Sequence, residues 1–279
     1  MKILTNGCSY TSGFTKETNM DDYENCWPHY LGQSMKADVT NLAIHGSGNN
    51  RILLDTVMEC ETNDYDAVCI GWTEAARIDL PARNSDSAVD RIFIEPYRKV
   101  WERQKPLNWP TESIYEDVDI ISDIIYRWNK ADAKTMMFDV LDRWYSTVVC
   151  LARYLTAKKI PYYFAQSIPL VGYNLMLGLE YEQTTSIEAD YMIEKNGRIE
   201  RWMDKQFYGW PITRALNGWT LYDRCFKYMK FADIVEDEVK RNNMMQRREQ
   251  VVFDPHPSPD GHRMIASIFE EKINPLINR

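Results

Sequence analysis

Apolar runs and amphipathic stretches alternate along the first part of the chain. Residues 2–5 carry the short apolar run Ile3-Leu4, which predicts a buried strand. Gly7-Cys8-Ser9-Tyr10-Thr11-Ser12-Gly13 then interrupts the pattern with small and polar residues and predicts a loop over 6–13. From Tyr23 to about Met35, apolar residues recur at the helical period, at Trp27, Tyr30, Leu31 and Met35, with Pro28 placed near a helix start. Val39 to Ile44 reads as a second strand. Gly46-Ser47-Gly48 is a turn, and Asn49 or Asn50 is expected to cap a helix bearing Ile52, Leu53, Val57 and Met58. Tyr65 to Gly71 is the third strand. Strand, helix, strand, helix, strand argues for a parallel sheet covered by helices.

The rhythm fails from about residue 82 to 130, where Pro96, Pro106 and Pro110 predict an irregular insertion with some helix. It resumes with a long amphipathic helix from Ala133 to Ala157 and a fourth strand at 160–165. Residues 169–245 mix aromatics with charges and show no strand–helix alternation, so they read as a second insertion, a lid or lobe over the sheet edge. Gly261 to about Ile273 is the closing helix. These elements predict one α/β domain over 1–279, a three-layer α/β/α sandwich with a parallel sheet and two mainly helical or irregular insertions.

Composition narrows the function classes. With 279 residues, 44% of them hydrophobic, the chain can bury one substantial core. A formal charge of −8 gives no electrostatic reason to expect a duplex nucleic-acid partner, and the pair Arg247-Arg248 reads as solvated surface. No apolar run approaches a membrane span and no apolar leader is visible, so a cytoplasmic protein is expected. The six cysteines are scattered, without a Cys-x-x-Cys pair, which suits a reducing compartment and does not suit zinc. Neither a metal nor an organic cofactor is expected, and the oligomeric state stays open.

In an open parallel sheet, ligands sit beyond the carboxyl ends of the strands. There the chain places Ser9, Gly46 and Gly71-Trp72-Thr73-Glu74, and near its end Asp254 and His256. A serine hydroxyl needs a base to take its proton, and the base needs a group to hold its tautomer. His256 is the candidate base and Asp254 the candidate orienter. Backbone N–H groups of Ser9 and Gly46 are the candidate oxyanion donors. Glycine at 46 has a second reading, as a residue demanded by a tight turn. Trp72, Asn49 and Arg77 are candidate substrate contacts. Arg77 has the further option, favoured on spacing, of pairing with Glu74. His262 is expected to pack or cap at the start of the last helix, and His45 to be structural. The aromatics of 169–245 either form the core of that segment or stack sugar rings.

These blocks resemble the SGNH/GDSL hydrolases, serine esterases and acyl hydrolases on a flavodoxin-like sheet. Gly7-Cys8-Ser9 is similar to their Gly-Asp-Ser turn, with Cys8 for the aspartate. Asn41-Leu42-Ala43-Ile44-His45-Gly46 is similar to their second block. Gly71-Trp72-Thr73-Glu74 stands where they carry Gly-x-Asn-Asp, with Thr73 for the asparagine, so the resemblance implies the Thr73 hydroxyl as a further oxyanion donor. His256-Pro257 is similar to their last block, although Asp254 lies two residues before the histidine instead of three. The resemblance covers about residues 1–80, 133–168 and 250–275. The style of the blocks is also similar to SGNH-like proteins of tailed bacteriophages. It implies ester hydrolysis through a serine acyl-enzyme acting on a small acylated molecule, such as an O-acetylated carbohydrate. Two other readings stand beside it. One is a catalytically degenerate binding or structural module on the same fold. The other is a phage enzyme acting on a nucleotide or modified base.

Overall fold

A computed structural model describes residues 1–14, 20–75, 77–80, 92–94, 133–170, 181–196, 203–225 and 256–278. Five parallel strands form the sheet: β1 (Lys2–Gly7), β2 (Asp38–Asn41), β3 (Ala67–Trp72), β6 (Tyr162–Gln166) and β7 (Phe207–Tyr208), in the order β2-β1-β3-β6-β7. Counted by appearance within the sheet, this is the doubly wound order 2-1-3-4-5, whose chain direction reverses between β1 and β3. A separate antiparallel pair joins β4 (Ile78–Leu80) to β5 (Ile92–Ile94).

The period of two along each central strand divides the core between the two faces of the sheet. Leu4, Val68, Ile70 and Phe164 face α3 (Asn49–Thr62) and α4 (Ala133–Lys158), where Ile52, Leu141, Trp144, Val148 and Leu151 are buried. Ile3, Ala67, Cys69 and Tyr163 face α2 (Trp27–Met35) and α8 (Pro259–Ile277). There Trp27 stacks on Phe269 with ring centroids 4.3 Å apart. Every residue of β3 is buried, as a parallel strand covered on both faces requires. The expected three-layer α/β/α sandwich is the observed architecture.

Two local expectations change. The N-cap of α3 is Gly48, not Asn49 or Asn50, and no side chain caps the helix. The segment 169–245 supplies a strand of the sheet: after α5 (Tyr181–Asn196) and α6 (Met203–Gln206), β7 pairs in parallel with β6. A strand of two residues carries no periodicity, so alternation could not reveal it. Tyr191 and Phe207 from this segment are core residues, and Phe207 lies edge-on to Phe164 and Trp144. The chain then passes through α7 (Leu221–Cys225), where the Arg224 guanidinium covers the half-exposed Trp219 ring at 4.1 Å. Apart from β5, the expected insertion at 82–130 lies outside the described residues, as do Arg247 and Arg248. Among the described residues, no helix is long and apolar enough to cross a membrane.

Where β1 ends, steric contact dictates the residue. Gly7 and Gly71 are register partners on adjacent strands. A Cβ on Gly7 would lie 2.1 Å from Thr11 Oγ1 and 2.8 Å from the Gly71 carbonyl oxygen. A Cβ on Gly71 would lie 2.7 Å from both Thr11 Oγ1 and Ser167 Oγ. The paired glycines let the single helical turn α1 (Ser9–Ser12) sit directly on the strand ends. Gly7→Ala should therefore lower the unfolding free energy by about 1–3 kcal/mol through overpacking. Urea denaturation checks this, and an unchanged midpoint with unchanged slope would contradict the steric account.

Candidate active site

Ser9 is the first residue of α1, at the carboxyl end of β1 and beside the reversal point of the sheet. The preceding Cys8 adopts an extended N-cap conformation without a side-chain cap, and its carbonyl accepts from the Thr11 N–H at 2.8 Å and the Ser12 N–H at 3.0 Å. Cys8 is fully buried in the core beneath α2 and α8. A sulfhydryl suits that apolar position better than a carboxylate, which would lose its hydration there. Gly13 closes the turn in the left-handed conformation, and the Phe14 N–H donates to the Ser9 carbonyl at 3.2 Å.

His256 enters from the other end of the chain, ahead of the Ser258 cap of α8. Its ring lies 5.7 Å from that of Tyr10 and 5.2 Å from that of Phe14, centroid to centroid. Folding thus brings the imidazole onto two aromatic residues that follow Ser9 in the chain. Asp254 lies outside the described residues. His262, one helical turn into α8, is nine-tenths buried and its Nδ1 has no hydrogen-bond partner. Burial pushes its pKa down to about 3, and the neighbouring His256 pushes the same way, partly opposed by Asp22. His262 is therefore a neutral packing residue, as expected for its position.

That burial has a pH consequence. The unfolded chain binds a proton on His262 below about pH 6.5, whereas the folded chain refuses it until about pH 3. Stability from this residue is complete above pH 6.5 and declines as pH falls through that window, by up to about 1.4 kcal/mol per pH unit. His262→Leu should flatten the acid side of a stability–pH curve by close to one proton. An unaltered slope would show that the histidine is not the titrating group.

The other predicted residues fall into three environments. Gly46 is exposed with φ of 77°, and nothing lies within 4 Å of the place a Cβ would occupy. Backbone conformation demands glycine there, as the tight-turn reading has it, and the same turn leaves the residue open to a ligand. Thr73 is fully buried, and its Oγ1 has no hydrogen-bond partner. Its backbone is clamped: the Thr73 N–H donates to Asn49 Oδ1 at 3.0 Å, and its carbonyl accepts from Asn49 Nδ2 at 3.3 Å and Gln166 Nε2 at 2.8 Å. Asn49 Nδ2 also donates to the Glu74 carbonyl at 2.8 Å. The Asn49 amide is thus spent on the loop after β3 and has no hydrogen left for a substrate. Trp72 is fully buried, edge-on to Phe164 at 5.5 Å, and faces the α3–α4 core rather than a ligand. Arg77 Nε pairs with Glu74 Oε2 at 3.2 Å, the favoured alternative.

Asp21 was not legible as a site residue. It accepts from Ser12 Oγ at 2.5 Å through Oδ1, while its Oδ2 lies 3.1 Å from His45 Nδ1. Its neighbours come from α1 and from the loop after β2, so no sequence-local signal marks it. A cavity of about 560 Å³ lies at the β2 edge, lined by residues including Tyr23, Cys26, His29 and Asn41. Neither Ser9 nor His256 lines it.

The fold and the position of Ser9 define a doubly wound α/β protein with a candidate hydroxyl at the reversal point. No family model matches the chain, and no curated protein matches it. Among solved structures it is similar to TesA, with 10% identity over 99% of each chain and a TM-score of 0.45. It is similar to Axe2, an acetylxylan esterase from Geobacillus stearothermophilus, with 13% identity over 98% of this chain and 93% of that one and a TM-score of 0.43. A lipolytic protein of the G-D-S-L family from Desulfitobacterium hafniense gives 13% identity over 95% of each chain and a TM-score of 0.41. At these identities and scores no residue role passes from those proteins to this chain.

Proposed function

We propose that the chain is a serine hydrolase of SGNH/GDSL type that cleaves small carboxylic esters through an acyl-enzyme. The observation that carries the reading is the meeting of distant segments: the His256 ring packs on Tyr10, the residue after Ser9, and on Phe14, just past the end of α1. In this reading the Ser9 hydroxyl attacks the ester carbonyl while its proton passes to a ring nitrogen of His256. The tetrahedral intermediate collapses, the alcohol leaves with that proton, and the acyl group stays on Ser9. A water then repeats the sequence in reverse and frees the acid. The Ser9–His256 hydrogen bond that transfer needs is a requirement of the substrate-bound state, since such bonds tighten on binding. Asp254 orients the imidazole. The N–H groups of Ser9 and Gly46 and the Thr73 hydroxyl receive the developing oxyanion. An O-acetylated carbohydrate or similar small acylated alcohol is the substrate class.

The test is covalent labelling with a fluorophosphonate, which phosphonylates an activated serine. Wild-type protein should be labelled and Ser9→Ala should not. Absence of labelling in the folded wild type, or labelling that survives the substitution, would overturn the proposal.

A further inference from the structure

The serine hydrolase reading leaves His45 without a role, and its surroundings are specific. Its Nδ1 is held 3.1 Å from Asp21 Oδ2, and the Asp21 side chain is nine-tenths buried while that of His45 is about half exposed (48%). Asp21 is itself tied to α1, because Ser12 Oγ donates to its other oxygen. A carboxylate on Nδ1 selects the tautomer with the proton there. The neutral ring then carries its lone pair on Nε2, the nitrogen facing away from Asp21.

The position of the ring locates that acceptor. Phe14 lies between the two histidines, 4.7 Å from the His45 ring and 5.2 Å from the His256 ring. His45 also directly precedes Gly46, the exposed left-handed glycine proposed as an oxyanion donor. Tyr23, about half exposed, donates through its hydroxyl to the Ala43 carbonyl at 3.2 Å and so ties down the loop that carries His45. A fixed acceptor beside an aromatic ring complements a polyhydroxylated group. Hydroxyls donate to the imidazole, and the C–H face of a sugar ring packs on the aromatic ring.

We propose that the Asp21–His45 pair, with Phe14, forms the alcohol subsite, in which His45 Nε2 accepts a hydrogen bond from a hydroxyl of a sugar or similar polyol. This rests on the serine hydrolase reading for the site as a whole. His45 discriminates between alcohols and takes no proton from Ser9. Asp21 is a positioning residue acting through the ring.

His45→Asn separates recognition from structure, because the asparagine amide can still donate to Asp21 but places no acceptor where Nε2 was. Two esters are compared, methyl 6-O-acetyl-glucoside and p-nitrophenyl acetate, the second having no hydroxyl to recognise. The ratio of their kcat/KM values should fall roughly tenfold in His45→Asn, through KM for the glucoside, as expected for one lost hydrogen bond. An unchanged ratio overturns the subsite, including the case where both esters slow equally. Ligand-observed NMR with methyl glucoside on Ser9→Ala, with and without His45→Asn, reads binding without hydrolysis. Weaker binding in the double variant supports the subsite even if wild type cleaves neither ester, in which case the hydrolase reading alone fails. No binding to Ser9→Ala, or undiminished binding to the double variant, overturns the subsite.

Discussion

Alanine at position 9 should lower kcat for p-nitrophenyl acetate by a factor on the order of 10⁶, the loss expected when a serine nucleophile is removed from a group that acts as a unit. His256→Gln should cost nearly as much, because a hydroxyl without a base is a weak nucleophile at neutral pH. The double variant should be no slower than either single one. That non-additivity is the signature of one coupled device: once the base is gone, removing the nucleophile takes away little more. Thermal denaturation of each variant guards against loss of fold. A loss of less than about tenfold for either residue would place it outside the reaction. Additive losses would mean that Ser9 and His256 act separately, and the ring contacts with Tyr10 and Phe14 would then be packing alone.

Thr73→Val should move stability and activity in opposite directions. The Thr73 hydroxyl is buried without a hydrogen-bond partner, an arrangement that costs about 1–3 kcal/mol for a desolvated polar group. Valine replaces the hydroxyl with a methyl of nearly equal size, so the unfolding free energy should rise by about 1 kcal/mol. If the hydroxyl is held in reserve for the oxyanion, kcat should fall by about 10² to 10³, the loss expected for one such donor. Denaturant melts and steady-state kinetics on one preparation read both effects. A stabilised enzyme with undiminished kcat would remove Thr73 from the mechanism. Asn49 cannot compensate, because its amide hydrogens are committed to the Thr73 and Glu74 carbonyls. The same commitment keeps the Thr73 backbone in place when its side chain changes.

The sheet was readable for a physical reason. A parallel strand covered on both faces must be apolar throughout, and Ala67–Trp72 announces itself that way. The helices against it must show the period of their buried stripe, as Ala133–Lys158 does. Where those constraints relax, the reading fails. Phe207–Tyr208 is too short for a period, so nothing in its sequence sets the β7 edge strand apart from an irregular lid. Asn49 is of a type that suits both a helix cap and a substrate contact. Only the approach of the β3 loop shows that its amide spans to Thr73. Trp72 lies at a strand end next to a loop, where a substrate contact is expected. Alternation in β3 instead turns its indole into the α3–α4 core.

Local residue patterns are enough to give the class of fold and the candidates at the strand ends. Buried strands and amphipathic helices write their environment into consecutive residues, and tight turns require particular residue types. These patterns also place Ser9 after β1, Gly46 after β2 and Thr73 after β3. The tertiary structure alone decided which of them meet. His256 reaches the rings beside Ser9 because α8 packs against α2 on one face of the sheet, and Asp21 reaches His45 because α1 and the loop after β2 rise from adjacent strands. Such contacts join residues far apart in the chain, and their geometry depends on strand order and helix packing, which no local periodicity encodes. Ser9 therefore stood out in the sequence as a residue, while the surroundings that would make it a nucleophile exist only in the folded chain.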